Sequence, residues 1–221
     1  MSARAPLKLA LLISGRGSNM IAILRAALAG EIAAHPAIVI SDRPQAAGLA
    51  SAGELGVATA AWAGEARQGP FEAMLRATLE AVQPDAIALA GFMRILSPAL
   101  VEHYAGRMLN IHPSLLPAYR GLHTHARALA AGDAEHGASV HFVTPELDAG
   151  PIILQSKIAV LPGDTEAALA ARVLATEHII YPRVIDWLGA GRLAWRAGAP
   201  WLDGRRLDTP MVEDFRGSVV T

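Results

Sequence analysis

LALLISGRGSNMIAILRAALAG, Leu9 to Gly30, changes pattern twice in 22 residues. Leu9 to Ile13 is aliphatic without alternation, as a strand covered on both faces should be. Ser14 to Asn19 is a turn with glycine at positions 15 and 17. Met20 to Ala29 then reads as a helix closed by Gly30. A buried strand, a glycine turn and a helix make the opening half of a βαβ unit. If the unit repeats, the chain is an α/β protein with a mostly parallel sheet.

It does repeat. A strand at Ile38 to Ile40 leads to a helix near Gln45 to Leu55 and a weaker strand at Val57 to Ala60. Phe71, Met74, Leu75, Leu79 and Val82 recur at helical spacing, and Pro84 ends that run before a strand at Ala86 to Ala90. Ser97 followed by Pro98 is a helix N-cap with proline in the first turn, and the helix runs through His103. Met108 to Ile111 is a short strand. A helix at His125 to Ala131, strands at Ser139 to Val143 and Ile152 to Val160, and a long helix capped by Asp164 or Thr165 follow. That helix reaches Leu188, with a kink expected at Pro182. The tail, about 193 to 221, holds Trp195, Trp201 and the turn pair Asp203-Gly204, and reads as a hairpin-like appendage to one domain spanning 1–221.

Composition narrows the function. With 19 basic against 20 acidic residues and a net charge of -1, the chain lacks the broad basic field of a nucleic-acid binder. It has no cysteine, which removes disulfides, thiolate zinc sites and cysteine nucleophiles. No window approaches the roughly 18 apolar residues of a membrane span, and the N-terminus does not fit a secretory signal. The expectation is a soluble cytoplasmic protein.

In an open parallel sheet, ligands bind beyond the carboxyl ends of the strands. Four such places are polar here. Ser14 to Asn19 could cradle a phosphate on backbone N–H groups at a helix N-terminus, or be a plain tight turn. It matches no nucleotide fingerprint: Met20 occupies the third glycine position of the dinucleotide motif, and a P-loop Lys-Ser/Thr pair is missing. Gly91 to Leu96 could wall a flat aromatic ligand, or be an ordinary buried connection. Asn110 and His112 share one side of their strand if it extends to His112, so they serve either as structural groups or as a catalytic pair. Asp148, in Glu146 to Ile152, is either an Asx-turn residue or a functional carboxylate. His123 and His125 could ligate a metal but lack a carboxylate at ligand spacing, while His35, His103 and His136 look like surface or cap positions. Asp42, near the end of the second strand, keeps a dinucleotide-dependent dehydrogenase in view.

SGRGSN, AGFMRILSP, LNIHPSLLPAYRGLHTH, GASVHFVTPELDAGPIILQ and TEHIIYP, taken together and in that order, resemble the folate-dependent glycinamide ribonucleotide formyltransferases of purine biosynthesis. The resemblance covers about Leu7 to Leu207. It implies a Rossmann-like formyltransferase fold with helices on both faces of the sheet. It also implies formyl transfer from 10-formyltetrahydrofolate, a co-substrate, to the amine of glycinamide ribonucleotide, without a metal. The implied catalytic set is Asn110, His112 and Asp148. Gly17, Ser18, Asn19 and Glu177 would hold the ribonucleotide. Met93, Arg94, Ile95, Leu96 and Asn110 would hold the folate. A folate-contacting arginine that members carry before the Phe71 helix falls here on Gln68 or one residue earlier, and Arg67 is carried for that role. The implied partners are these two small molecules, with neither nucleic acid nor membrane, and a homodimer is compatible with them. Methionyl-tRNA formyltransferases share Asn-x-His and SLLPxxRG but differ from GLHTH after the glycine, and usually append an RNA-binding domain. Formyltetrahydrofolate hydrolases reuse the trio with water as acceptor and usually add a regulatory domain. Outside these classes stands a catalytically dead ligand-binding module.

Overall fold

β1 (Leu7–Ile13) runs through the middle of an eight-stranded sheet, and its side chains feed two different cores. Leu9, Leu11 and Ile13 join one apolar cluster, and Ala10 and Leu12 join the other. That two-sided burial is why the strand reads as an unbroken aliphatic run. The computed structural model describes residues 5–63 and 69–217.

α1 (Ser18–Leu28), α2 (Ala47–Glu54) and α6 (Glu166–Gly189) supply Met20, Ile23, Leu24, Ala52, Leu169, Val173 and Tyr181 to the first core. α3 (Pro70–Val82) and α4 (Pro98–His103) supply Phe71, Leu75, Leu79, Leu100 and Val101 to the second. Helices therefore cover both faces. The sheet order is β11-β7-β6-β5-β4-β1-β2-β3, using β2 (Ala34–Ser41), β3 (Thr59–Ala61), β4 (Ala86–Leu89), β5 (Met108–His112), β6 (Glu135–Phe142), β7 (Ile152–Ala159) and β11 (Met211–Asp214). β3, β2, β1, β4 and β5 are mutually parallel, and β6 is antiparallel to both of its neighbours. The chain winds outward from β1 through β2 to β3, then crosses back to β4. The topological switch point therefore lies between β1 and β4, where an open α/β sheet leaves a crevice at its carboxyl edge.

Several elements exceed their expected bounds. β2 begins at Ala34, ahead of Pro36, which the register shift between Leu9 and Ala10 accommodates. β6 begins at Glu135 and not at Ser139, because Gly137 is a point of close approach and not a break: a Cβ there would lie 1.8 Å from the Ser156 carbonyl oxygen on β7. This places His136 inside a strand, 1% exposed, and corrects its reading as a surface or cap residue. α6 passes through Pro182 as one 24-residue helix, with Thr165 as the N-cap accepting from the Ala168 N–H. Ser97 caps α4 as expected, accepting from the Leu100 N–H. β8 (Leu193–Arg196), β9 (Ala199–Leu202) and β10 (Arg205–Arg206) form a small antiparallel sheet. Asp203 and Gly204, both at positive φ, turn β9 into β10. β11 returns to the main sheet parallel to β7, an edge strand guarded by charged side chains.

Candidate active site

The crevice at the switch point is bordered by the segments after β1 and β4. After β1, Gly17 is the N-cap of α1 at φ 71, a conformation glycine adopts without strain. No side chain caps the helix and its first turn holds no acidic residue, so its terminal N–H groups form a cradle suited to an anion. Gly48 lets α2 lie against this turn: its N–H donates to the Gly15 carbonyl, and a Cβ would come within 3.0 Å of the carbonyl oxygens of Gly15 and Arg16. Asn19, buried in the first turn, donates from Nδ2 to Oε2 of Glu177 on α6 at 2.6 Å, while its Oδ1 is buried with no hydrogen-bond partner among the described residues. Burial raises the Glu177 carboxyl above its ordinary range, against the opposing pull of Asn19. A buried carboxyl beside an orphan carbonyl oxygen is a pair of acceptors matched to a ligand's N–H or O–H groups.

After β4, Gly91 takes φ 76 and the chain passes along the crevice. Phe92 and Leu96 turn inward and are buried, whereas Met93 and Ile95 are 61% and 40% exposed. The Arg94 guanidinium lies 4.8 Å from the centroid of the Phe71 ring. Two apolar side chains standing open beside a buried aromatic shelf suit a flat ligand. Arg67 and Gln68 lie outside the described residues. Asp42 faces Arg94 and Ser14, so the acid kept in view for a ribose is engaged within the chain.

β5 extends through His112 and carries Asn110 and His112 on one side, toward Asp148. His112 Nδ1 lies 3.4 Å from Asp148 Oδ2, and its Nε2 lies 2.9 Å from the Tyr119 carbonyl oxygen. Both ring nitrogens face oxygen acceptors, an arrangement that imidazolium satisfies with two N–H donors. Asp148 sits in the β6–β7 loop at φ 47 and accepts from the Gly121 N–H at 3.0 Å. Asn110 Nδ2 is 3.5 Å from Asp148 Oδ1 and 3.1 Å from His141 Nε2. The Nδ1 of His141 faces its neighbour's carbonyl, Phe142 O, at 2.9 Å. His141 is consequently the Nδ1–H tautomer, its Nε2 accepting from Asn110. Burial lowers its pKa and keeps it neutral in that role. The Asn110 amide is thereby oriented, with its N–H edge toward the carboxylate.

The loop after β5 is held by polar groups of the neighbouring strands. Ser139 Oγ donates to the Ser114 carbonyl and accepts from the Leu116 N–H, and Gln155 Nε2 donates to the Leu116 carbonyl at 2.9 Å. The Tyr119 hydroxyl donates to Asp133 at 2.6 Å. These contacts fix the carbonyl that receives His112. His123 is the N-cap residue of α5 (Thr124–Ala131) without a side-chain capping bond, while His125 Nδ1 lies 3.1 Å from His136 Nε2. Among the described residues, no group of three or more His, Asp or Glu side chains could hold a metal ion.

The structure thus brings Asn110, His112 and Asp148 together, places Gly17, Ser18, Asn19 and Glu177 at one end of the crevice, and sets Met93 to Leu96 on another wall. Sequence reasoning missed His141, Ser139 and Gln155. The first two are the polar residues at i and i+2 of the run Ser139 to Val143, a pattern that could have marked them as one functional face.

Phosphoribosylglycinamide formyltransferase of Escherichia coli (strain K12) is 52% identical over 204 residues, covering 91% of this chain and 96% of that protein. The solved phosphoribosylglycinamide formyltransferase from Coxiella burnetii has a TM-score of 0.88 at 47% identity, covering 94% of this chain and 99% of its own. A formyltetrahydrofolate deformylase from Pseudomonas syringae pv. tomato has a TM-score of 0.82 at 26% identity, covering 89% of this chain and 66% of its own. The family of formyl transferases matches residues 7–185, and this chain belongs to it.

Proposed function

We propose that the protein transfers a formyl group from 10-formyltetrahydrofolate to the amine of glycinamide ribonucleotide, a step of purine biosynthesis in the cytoplasm. The observation that carries the reading is the meeting of Asn110, His112 and Asp148 between an anion cradle and an apolar wall. Identity above 45% to two proteins named for this activity supports it.

The phosphate rests on the uncapped N-terminus of α1 at Gly17, Ser18 and Asn19, and Glu177 with Asn19 Oδ1 receives N–H or O–H groups of the glycinamide riboside. The folate lies along Met93, Arg94, Ile95 and Leu96, with Arg67 as a further contact, and brings its formyl group to Asn110. As the amine attacks, a C–N bond forms and negative charge collects on the formyl oxygen. His112 donates to that oxygen, exchanging a neutral carbonyl acceptor for a charged one. Asn110 adds a second donor by giving up its 3.5 Å contact to Asp148. Breaking the bond to the folate nitrogen restores the carbonyl. One proton must travel from the attacking amine to that departing nitrogen. His112, backed by Asp148, is the group placed to pass it.

Hydrolysis of formyltetrahydrofolate would use the same trio with water, and the deformylase likeness keeps it as the second reading. The uncapped helix start and the orphan Asn19 oxygen favour a phosphorylated acceptor over water. A methionyl-tRNA acceptor would need a wide basic surface, against the balanced charge of this chain. The test is a formylation assay with 10-formyltetrahydrofolate and glycinamide ribonucleotide, run beside water alone and methionyl-tRNA. Turnover only with the ribonucleotide is expected. Folate release at equal rate without an acceptor would replace the reading with the hydrolase.

A further inference from the structure

One hydroxyl links the two ligand-bordering segments. Ser14, 3% exposed, stands between β1 and the glycine turn. Its backbone N–H donates to the Gly91 carbonyl at 3.2 Å, and its Oγ accepts from the Met93 N–H at 2.8 Å. The same Oγ donates to Asp42 Oδ1 at 2.6 Å. A serine hydroxyl has one proton, so the carboxylate that takes it decides which way the lone pair for Met93 points. The other Asp42 oxygen lies 3.7 Å from Arg94 Nε, with both side chains about nine-tenths buried, at 12% and 10% exposure. The far end of the segment is tied separately, where the Ser97 N–H donates to Glu72 Oε2 at 3.1 Å. The exposed side chains are those of Met93, at the first tie, and Ile95, between the two.

We infer that Ser14 and Asp42 are positioning residues for the folate: the Asp42 carboxylate sets the Ser14 hydroxyl and the Arg94 guanidinium together, and so fixes the wall formed by Met93 to Leu96. The inference rests on the reading that the folate lies on that wall. It assigns to the acid at the end of β2 a task other than holding a ribose. The two variants of Asp42 separate its two tasks. Asp42→Asn keeps an oxygen for the Ser14 hydroxyl but replaces the charge facing Arg94. Asp42→Ala removes both.

The experiment measures both Michaelis constants and kcat for Ser14→Ala, Asp42→Asn, Asp42→Ala and the double variant Ser14→Ala/Asp42→Ala. The KM for 10-formyltetrahydrofolate should rise on the order of tenfold in Ser14→Ala and Asp42→Ala, as expected for loss of a charge-assisted hydrogen bond, and less in Asp42→Asn. The double variant should be no worse than either single one, because the three groups act as a unit. The KM for the ribonucleotide and kcat at saturation should stay within about twofold, a split that general destabilisation would not produce. Ile95→Glu, at an exposed position, tests the wall itself by adding a charge that repels an anionic folate. If Ile95→Glu raises the folate KM and Ser14→Ala does not, the inference is overturned while the folate site stands. If Ile95→Glu leaves the folate KM unchanged, the folate reading falls and the inference with it. Equal rises in both Michaelis constants would also overturn it, reducing Ser14 to a structural tether.

Discussion

The catalytic cluster and the loop that borders it are built to different tolerances. Asp148 lies 3.4 Å from His112 and 3.5 Å from Asn110, and its short hydrogen bond is to the Gly121 N–H of the backbone, at 3.0 Å. In the loop after β5, Ser139, Gln155 and Tyr119 make hydrogen bonds of 2.6 to 2.9 Å to Ser114, Leu116 and Asp133. The scaffold is held by short bonds, and the reacting groups are held short to that scaffold but long to one another. A slack contact costs little to exchange, so a substrate oxygen can take the Asn110 N–H from Asp148, whereas His112 leaves its 2.9 Å bond to the Tyr119 carbonyl only for an acceptor that carries charge, and the short bonds of the loop prevent the frame from following. Preorganised donors are effective because the reorganisation is completed during folding. At the other end of the crevice, the orphan Asn19 Oδ1 and the buried Glu177 carboxyl have the same unfinished character.

The largest effect should come from breaking the slack side. His112→Ala and Asp148→Asn are expected to fold with wild-type circular dichroism and lose about 10²- to 10⁴-fold in kcat. Near-normal turnover in either variant would show that the trio is not the catalytic set.

The next effect tests the scaffold through pH. Burial, with His125 adding to it, holds the His136 pKa down to about 4 against an ordinary value of about 6.5. The unfolded chain therefore binds a proton at higher pH than the folded one does. Stability from this group is complete above about pH 6.5 and is lost as pH falls toward about 4, amounting to about 3 kcal/mol at roughly 1.4 kcal/mol per pKa unit. In urea titrations, His136→Phe should flatten that part of the pH dependence relative to wild type. Parallel curves would mean that His136 is not held neutral.

Gln155→Ala removes the donor to Leu116 and should cost about 1 to 3 kcal/mol of stability. It should also lower kcat by more than it raises either KM, because the Tyr119 carbonyl facing His112 loses its anchorage. A loss of stability with unchanged kcat would show that the frame does not position the chemistry.

The smallest effect is a gain. Since burial raises the Glu177 pKa, ionising this carboxyl costs folded-state stability as pH rises past its unfolded value. Glu177→Gln should therefore match wild type in strong acid and exceed it by a small margin at neutral pH, while weakening ribonucleotide binding. Thermal unfolding at pH 4 and pH 7 checks the sign, and a variant less stable than wild type at pH 7 would contradict it.

The elements legible in the sequence are those whose causes are local. The aliphatic run of β1, the glycine turn into α1, the Ser97 cap and the Asp203-Gly204 turn are set within a few residues and were legible there. Asn110 and His112 were legible as a pair because strand alternation is local too, once β5 reaches His112. Tertiary structure alone decided what crosses between strands. Asn110 meets His141 because β5 and β6 pair antiparallel in that register, and no local pattern specifies a partner 31 residues away. The strand is expected to begin at Ser139 and His136 to lie at the surface, whereas β7 pairs with β6 from Glu135 onward and buries His136. Ser14, Asp42 and Met93 come together only because the sheet sets β1 between β2 and β4. Hydrogen-bond partners distant in the chain are chosen by sheet order and register, which depend on the burial of the whole sheet and not on any one stretch of residues.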